Sequence, residues 1–231
     1  MAQPNIWPQI AIRPALARRA ELEALPMSQR LWNLDWRSVL PWDLDGGRAE
    51  FATPEQALPF IGAHYSAIFG QKDLEGRFLP SPTTEAKRRF FAEMDYFILR
   101  VGERDAGIVV GHPSDWTTYY VRSAALLPAF RERHLLTQFS ERLYAPLRTS
   151  GVERIEAECS PANVPMARLL TGQGYLVTGS VTSERWGVVL RYTKFLSEDA
   201  SAAFMRQYTA MPFSKRQEDK TPTPTIDRSK P

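Results

Sequence analysis

The chain has 231 residues, 43% hydrophobic and 24% charged, a composition that suits one sizeable globular domain and excludes a disordered or fibrous chain. Its net charge of +3 is too small to mark nucleic-acid binding and remains compatible with an anionic ligand. The single cysteine, Cys159, excludes an intramolecular disulfide and fits a reducing, cytoplasmic setting, and no apolar run has the length of a membrane span.

Residues 1–30 read as an N-terminal extension, with a short helix around Ala15 to Ala24. Arg13, Arg18 and Arg19 occur there without an acid in the first twenty residues, as in an organellar presequence. That stretch lacks serine, and Pro4, Pro8 and Pro14 interrupt a helix, so a plain extension is the better reading. The folded region is expected over 31–196. Leu31 to Leu40 reads as an extended segment carrying Trp32 and Trp36. Thr53 then caps a helix opened by Pro54, with Leu58, Ile61, Tyr65, Ile68 and Phe69 at helical spacing and Gly70 as its end. A second helix is predicted from Thr84 through Met94.

The period then changes from helical to alternating. Tyr96 to Val101 and Ala106 to Val110 read as strands joined by Gly102-Glu103-Arg104-Asp105, and Gly111 to Asp115 as a turn. Thr117 to Leu127 reads as a third strand, closed by Pro128. A helix follows with Leu135, Phe139 and Leu143 on one face, ended or kinked by Pro146. Arg154 to Cys159 is a two-faced strand, since Ile155, Ala157 and Cys159 alternate with Glu156 and Glu158. Ser160 or Asn163 caps a helix to Leu170, and Gly172 and Gly174 end it. Two strands, Tyr175 to Val181 and Val188 to Phe195, complete the domain. Residues 197–231 hold a last helix, Glu198 to Thr209, and a Lys-, Thr- and Pro-rich tail from Ser214 that cannot bury enough surface to order itself. The order β–α–α–β–β–β–α–β–α–β–β gives an α/β (α+β) fold. A mixed central sheet carries helices on both faces, with a parallel pair made by the right-handed crossover between Thr117–Leu127 and Arg154–Cys159.

Two segments carry a resemblance to a known family. Leu126-Leu127-Pro128-Ala129-Phe130-Arg131 resembles the strand-to-helix passage of the GNAT N-acyltransferases. Ser160 to Leu170, followed by Gly174-Tyr175, resembles that family's second signature, with Gly174 eleven residues after Asn163. The resemblance covers roughly Leu31 to Leu196. It implies two parallel strands splayed apart, with the pantetheine arm of acetyl-CoA or another acyl-CoA in the gap. The pyrophosphate would sit on the N-terminus of the following helix, where unpaired N–H groups and the helix dipole favour anions. By this resemblance Leu126, Leu127, Arg131, Arg133, His134, Leu135, Leu136 and Asn163 are candidates for holding the cofactor. The sequence shows no metal-ligand spacing, so no metal is expected.

The family loop usually has Gln or Arg, then Gly three residues on and Gly or Ala five residues on. Here Arg131 fits, but His134 and Leu136 occupy the small-residue positions. Either the loop keeps its shape with an αR backbone and His134 supplies an imidazole donor, or CoA is displaced as donor. The donor would then be a thioester on an acyl carrier protein, an aminoacyl-tRNA, or nothing, leaving a binding or regulatory protein. The family's acidic tyrosine, seven residues after the asparagine, is Leu170 here. A thiolate leaves without strong assistance, so this loss is tolerable for a thioester donor.

The expected chemistry is direct attack of an amine on the acyl carbonyl. Glu158 is the candidate base, matching a glutamate of that role in the family's ribosomal-protein alanine acetyltransferases, and the resemblance adds Asn163 to the catalytic set. The plain alternative is that Glu156 and Glu158 form a solvated strand face. A backbone N–H within Ala125 to Leu127 is expected to hold the carbonyl oxygen. Tyr119, Tyr120, Arg122 and Trp36 are candidates for the acceptor side, although tyrosines in a strand also serve as packing. His112, expected in a turn, is a second possible base. Trp32, Trp36 and Trp42 suit either an apolar acceptor pocket or the core. Arg131, Arg133, Arg142 and Arg148 around one helix would suit a carrier-protein partner or remain ordinary solvated residues. The acceptor amine is open, as is a monomer or a homodimer.

Overall fold

The computed structural model describes residues 25–69, 84–183 and 187–210. The expected helix at Ala15 to Ala24, the stop at Gly70 and the tail from Ser214 lie outside the described residues.

The polypeptide enters through two short helices, α1 (Met27–Trp32) and α2 (Trp36–Val39). This corrects the extended reading of Leu31 to Leu40. Alternation of Trp32, Leu34 and Trp36 mimics a strand, but Asn33 ends α1 in the left-handed region (φ 54°) and the Asp35 carboxylate caps α2 by accepting from the Arg37 N–H. The first strands come later, as a hairpin of β1 (Trp42–Leu44) and β2 (Gly47–Ala52). Its turn is Asp45-Gly46, with Gly46 at φ 77°, a sequence signal for a tight hairpin that the reading passed over.

Helix α3 (Pro54–Phe69) begins where expected, with the Gln56 side chain accepting from the Thr53 N–H. Helix α4 (Glu85–Ala92) is capped by Thr84 and buries none of its own residues. Strands β3 (Asp95–Val101) and β4 (Arg104–Pro113) form the predicted hairpin, with two corrections. Arg104 and Asp105 belong to β4 rather than the turn. Gly111 to Pro113 continue β4, because they pair with Val121, Tyr120 and Tyr119. Strand β5 (Thr118–Leu126) leads through a 3-10 turn (Pro128–Phe130) into α5 (Leu135–Thr149). Pro146 does not end this helix. It sits in the last turn, where Leu147 is held in the core and the Pro146 carbonyl accepts from Ser150. Strand β6 (Arg154–Cys159), α6 (Val164–Gly172), β7 (Leu176–Ser183), β8 (Gly187–Phe195) and α7 (Glu198–Ala210) follow.

The eight strands form one mixed sheet in the order β1-β2-β3-β4-β5-β6-β8-β7, antiparallel except for β5 and β6. Leu135, Phe139, Leu143 and Leu147 form a buried stripe on α5, each side chain contributing about 1.5–3 kcal/mol. They pack with Trp36, Trp42, Phe97, Tyr119 and Ile155 on one face of the sheet. Ala57 and Phe60 of α3 pack on the opposite face with Tyr96, Ile98, Ile108 and Val110.

The β5–β6 pairing positions the site. It runs for four residue pairs, from Thr118↔Arg154 to Val121↔Ala157. Beyond that β5 continues to Leu126 paired only with β4, and β6 to Cys159 paired only with β8. The two strands splay apart there. A bulge lies at the same level, because Val110 opposes Ser123 while Gly111 opposes Val121, leaving Arg122 as the extra residue.

Candidate functional site

The donor side of the gap is built by β5, the 3-10 turn and α5. The Leu127 N–H donates to the Ala106 carbonyl on β4. By the alternation of an antiparallel ladder, the Leu126 and Ala124 amides therefore turn the other way, into the gap. Within the expected span Ala125 to Leu127 this leaves Leu126, and it adds Ala124 just outside that span. The Leu126 carbonyl is fixed by the Arg131 Nε–H at 3.3 Å.

The loop ahead of α5 is wound through two left-handed non-glycine residues, Glu132 (φ 64°) and His134 (φ 57°). The αR reading of His134 is therefore corrected, since this position holds the backbone conformation a glycine would adopt. That conformation costs an L-residue about 1–3 kcal/mol, although histidine tolerates it better than most. The imidazole makes no cap bond and leaves the amides of the first turn without a capping side chain. Arg131, Arg133 and His134 are exposed around that turn, and the Arg133 and Arg104 guanidinium groups lie over the Phe130 ring at 5.7 and 5.0 Å. Leu135 is fully buried and Leu136 half-buried against the core, so both anchor the helix. Arg142 and Arg148 are exposed and each donates to a backbone carbonyl, of Asp43 and Leu196, at 3.5 and 3.0 Å.

Asn163 caps α6, its side-chain oxygen accepting from the Met166 N–H at 3.3 Å. Leu170 is buried in the core, which accounts for a leucine at that position. Between α5 and α6 lies a cleft of about 460 Å³ lined by Thr137, Glu141, Tyr144, Arg168 and Gln173, among others.

The residues expected on the acceptor side lie on the other face of the sheet, which α3 covers over β2 to β4 and α4 meets at His112 and Arg122. Glu158 faces it and accepts three hydrogen bonds, from Arg191 Nε and Nη2 at 3.1 and 2.8 Å and from the Tyr120 hydroxyl at 3.3 Å. Arg191 also lies 3.7 Å from Glu156. Burial, then the Glu158 charge, push the Tyr120 phenol up to about 12. Arg122, half-buried on the bulge, lies over the Phe90 and Phe91 rings of α4 at 5.8 and 5.6 Å. Cys159 is buried, and burial pushes its thiol up, away from the reactive form.

Two expected acceptor residues are core residues instead. Trp36 is 1% exposed and packs edge-on against Phe97, Trp42 and Tyr119. Tyr119 is fully buried with its ring over Gly111, where a Cβ would meet the phenol oxygen at 2.4 Å. Alternation along β5 sends Tyr119 into the α5 face and Tyr120 to the acceptor face. The Tyr119 hydroxyl donates to Asp95 at 3.1 Å, and Ser28 of α1 donates to the same carboxylate at 2.6 Å. Asp95 is fully buried, and loss of water raises its carboxyl to about 7 despite the donors. Sequence reading missed this group. Its signal is a lone acid opening the apolar run from Met94 to Leu99.

The splayed parallel pair, the crossover helix at its mouth and the flanking hairpins define the fold as that of the GNAT N-acyltransferases. Ribosomal-protein-S5-alanine acetyltransferase from Vibrio fischeri superposes with a TM-score of 0.52 at 11% identity, covering 69% of this chain and 98% of that one. An N-acetyltransferase from Staphylococcus aureus Mu50 gives 0.51 at 14% identity, covering 65% and 99%. The acetyltransferase yncA of Salmonella typhimurium, solved with its cofactor acetyl-CoA, gives 0.50 at 16% identity, covering 66% and 95%. No protein-family model and no curated protein matches the sequence. Among the described residues no helix is long and apolar enough to cross a membrane.

Proposed function

We propose that this chain is an N-acyltransferase that moves an acetyl or longer acyl group from a CoA-type thioester to an amine by direct attack. One observation carries the reading: the gap between β5 and β6 opens onto a helix N-terminus whose loop keeps its left-handed turn at His134. A diphosphate fits this end of α5, because free N–H groups, the helix dipole and the side chains of Arg131 and Arg133 all favour an anion there. A thioester, when bound, supplies the activated acyl group. The Leu126 amide, backed by Arg131 through the Leu126 carbonyl, is the donor best turned to steady the acyl oxygen. Asn163 fixes the start of α6 beside the gap. Glu158, Arg191 and Tyr120 form the polar wall of the acceptor side, and Glu158 takes part in handling the amine proton from there.

Calorimetric titration with acetyl-CoA, and with longer acyl-CoAs alongside, tests the reading. Binding at about micromolar Kd supports it. Absence of binding removes CoA as donor and leaves a carrier-protein thioester, an aminoacyl-tRNA or a non-catalytic role.

A further inference from the structure

Among the described residues two buried side-chain nitrogens lack a hydrogen-bond partner, Trp36 Nε1 and His112 Nε2. The indole nitrogen is a donor beside Asp95, whose charge it helps to steady. The imidazole nitrogen has no such use in the fold. Its role follows from the other ring nitrogen. His112 Nδ1 lies 2.8 Å from the Pro113 carbonyl. A carbonyl only accepts, so Nδ1 carries the hydrogen and Nε2 is left with a bare lone pair. Burial, with the positive charge of Arg122 adding to it, holds the imidazole below its ordinary pKa, so the lone pair is free at neutral pH.

The ring lies on the acceptor face. His112 pairs with Tyr120 across β4 and β5, two residues from the bulge where β5 and β6 part. Its ring centroid is 5.6 Å from that of Tyr120 and 5.0 Å from that of Phe90 on α4. The ring is 8% exposed, yet part of its cover is a helix that buries none of its own residues. Tyr120 and Arg122 are the titratable and charged groups that β5 turns toward it. Helix α4 turns Phe90 toward it, while Glu85, Arg88 and Arg89 pair with one another.

We propose that His112 Nε2 receives the proton of the acceptor amine, and that the amine approaches it from the α4 side by displacing Phe90. This rests on the acyltransferase reading above. Glu158 already accepts three hydrogen bonds, whereas Nε2, among the described residues, accepts none, so the imidazole is a vacant proton acceptor on this face. The amine nitrogen forms a bond to the acyl carbon, the carbon–sulfur bond breaks, and sulfur leaves with the electron pair. The ammonium proton passes through a chain of bridging waters to His112 Nε2, and from the imidazolium to solvent.

Two measurements test the proposal. The first needs no activity. Nitrogen NMR of histidine-labelled protein, with His112→Gln identifying the signal among three histidines, should find His112 Nδ1 protonated and Nε2 bare at neutral pH. Phe90→Ala should speed carbethoxylation of that ring. A protonated Nε2, or a ring whose reactivity ignores Phe90, overturns the proposal. The second is thiol release from acetyl-CoA with a panel of amino acids and peptides bearing free N-termini as acceptor probes. His112→Gln should lower kcat on the order of a hundredfold, remove the rise of rate on the acid side of neutral pH and spare the KM for acetyl-CoA. Added imidazole should partly rescue His112→Ala. An active His112→Gln variant with an unchanged pH profile overturns the proposal and leaves the acyltransferase reading standing. Wild-type protein that releases no thiol with any probe overturns both.

Discussion

Arg191 on β8 grips Glu158 on β6 through two N–H groups, at 3.1 and 2.8 Å, across directly paired strands. Glu158 is four-fifths buried, and the pair holds one side of the acceptor face in a fixed geometry.

Replacing Glu158 with Gln keeps the shape, removes the charge and releases Arg191. Turnover should fall about tenfold while acetyl-CoA affinity stays constant, because the donor side contains none of these groups. The fall should be smaller than that of His112→Gln. Steady-state kinetics beside a calorimetric Kd decide the matter. An unchanged rate at saturating substrate removes Glu158 from the reaction.

Arg131 bears on the proposed donor site in two ways, through its charge at the end of α5 and through the Leu126 carbonyl it braces. Arg131→Ala should weaken acetyl-CoA binding roughly tenfold, the worth of one charge-assisted contact. Equal affinities for the two proteins would mean that the loop has been wrongly assigned.

His134 holds a glycine conformation with a side chain attached. His134→Gly relieves the left-handed strain and opens the backbone to a phosphate, so acetyl-CoA should bind roughly threefold tighter or better. Thermal stability should hardly move, because glycine's extra freedom in the unfolded chain offsets the relief. Weaker binding by the glycine variant would give the imidazole itself a role in holding the ligand.

These residues mark how far the sequence is legible. Strand β6 and the Asn163 cap are recovered from local signals, an alternation of apolar and acidic residues and an N-cap at the right distance from Gly174. Helix α5 is recovered from its stripe of Leu135, Phe139 and Leu143, although its end is misread at Pro146. The β1–β2 hairpin is missed because three-residue β1 is too short for alternation to register, and the tryptophans before it imitate a strand. The faces of β5 are harder still. Alternation separates Tyr119 from Tyr120, but only the packing of Trp36 and α5 decides which side is the core. His112 was legible only as a turn residue, since nothing local reveals that Gly111 lets β4 continue beneath the Tyr119 ring. The ion pair of Glu158 with Arg191, 33 residues apart, depends on β8 returning beside β6.

Asp95 gives the last prediction, and it concerns stability. Burial pushes its carboxyl up to about 7 in the fold from an ordinary value of 3.8, outweighing the hydrogen bonds from Ser28 and Tyr119. The folded protein therefore holds this proton more tightly than the unfolded chain. Below pH 3.8 both states are protonated and the contribution of the group is whole. As pH rises toward 7 the unfolded chain releases the proton first, so stability drains away across that interval, and above it the loss is complete. The loss amounts to a few kcal/mol, at about 1.4 kcal/mol for each unit by which the folded state raises the pKa. Asp95→Asn keeps a neutral side chain of the same shape and cannot titrate. Urea unfolding of both proteins at a series of pH values isolates the group, because all other titrations cancel in the difference. Stability of the wild type relative to Asp95→Asn should fall steadily from acid to neutral pH and then level off. Parallel curves over that interval would mean that Asp95 does not hold its proton in the fold and that Ser28 and Tyr119 donate to a carboxylate at every pH tested.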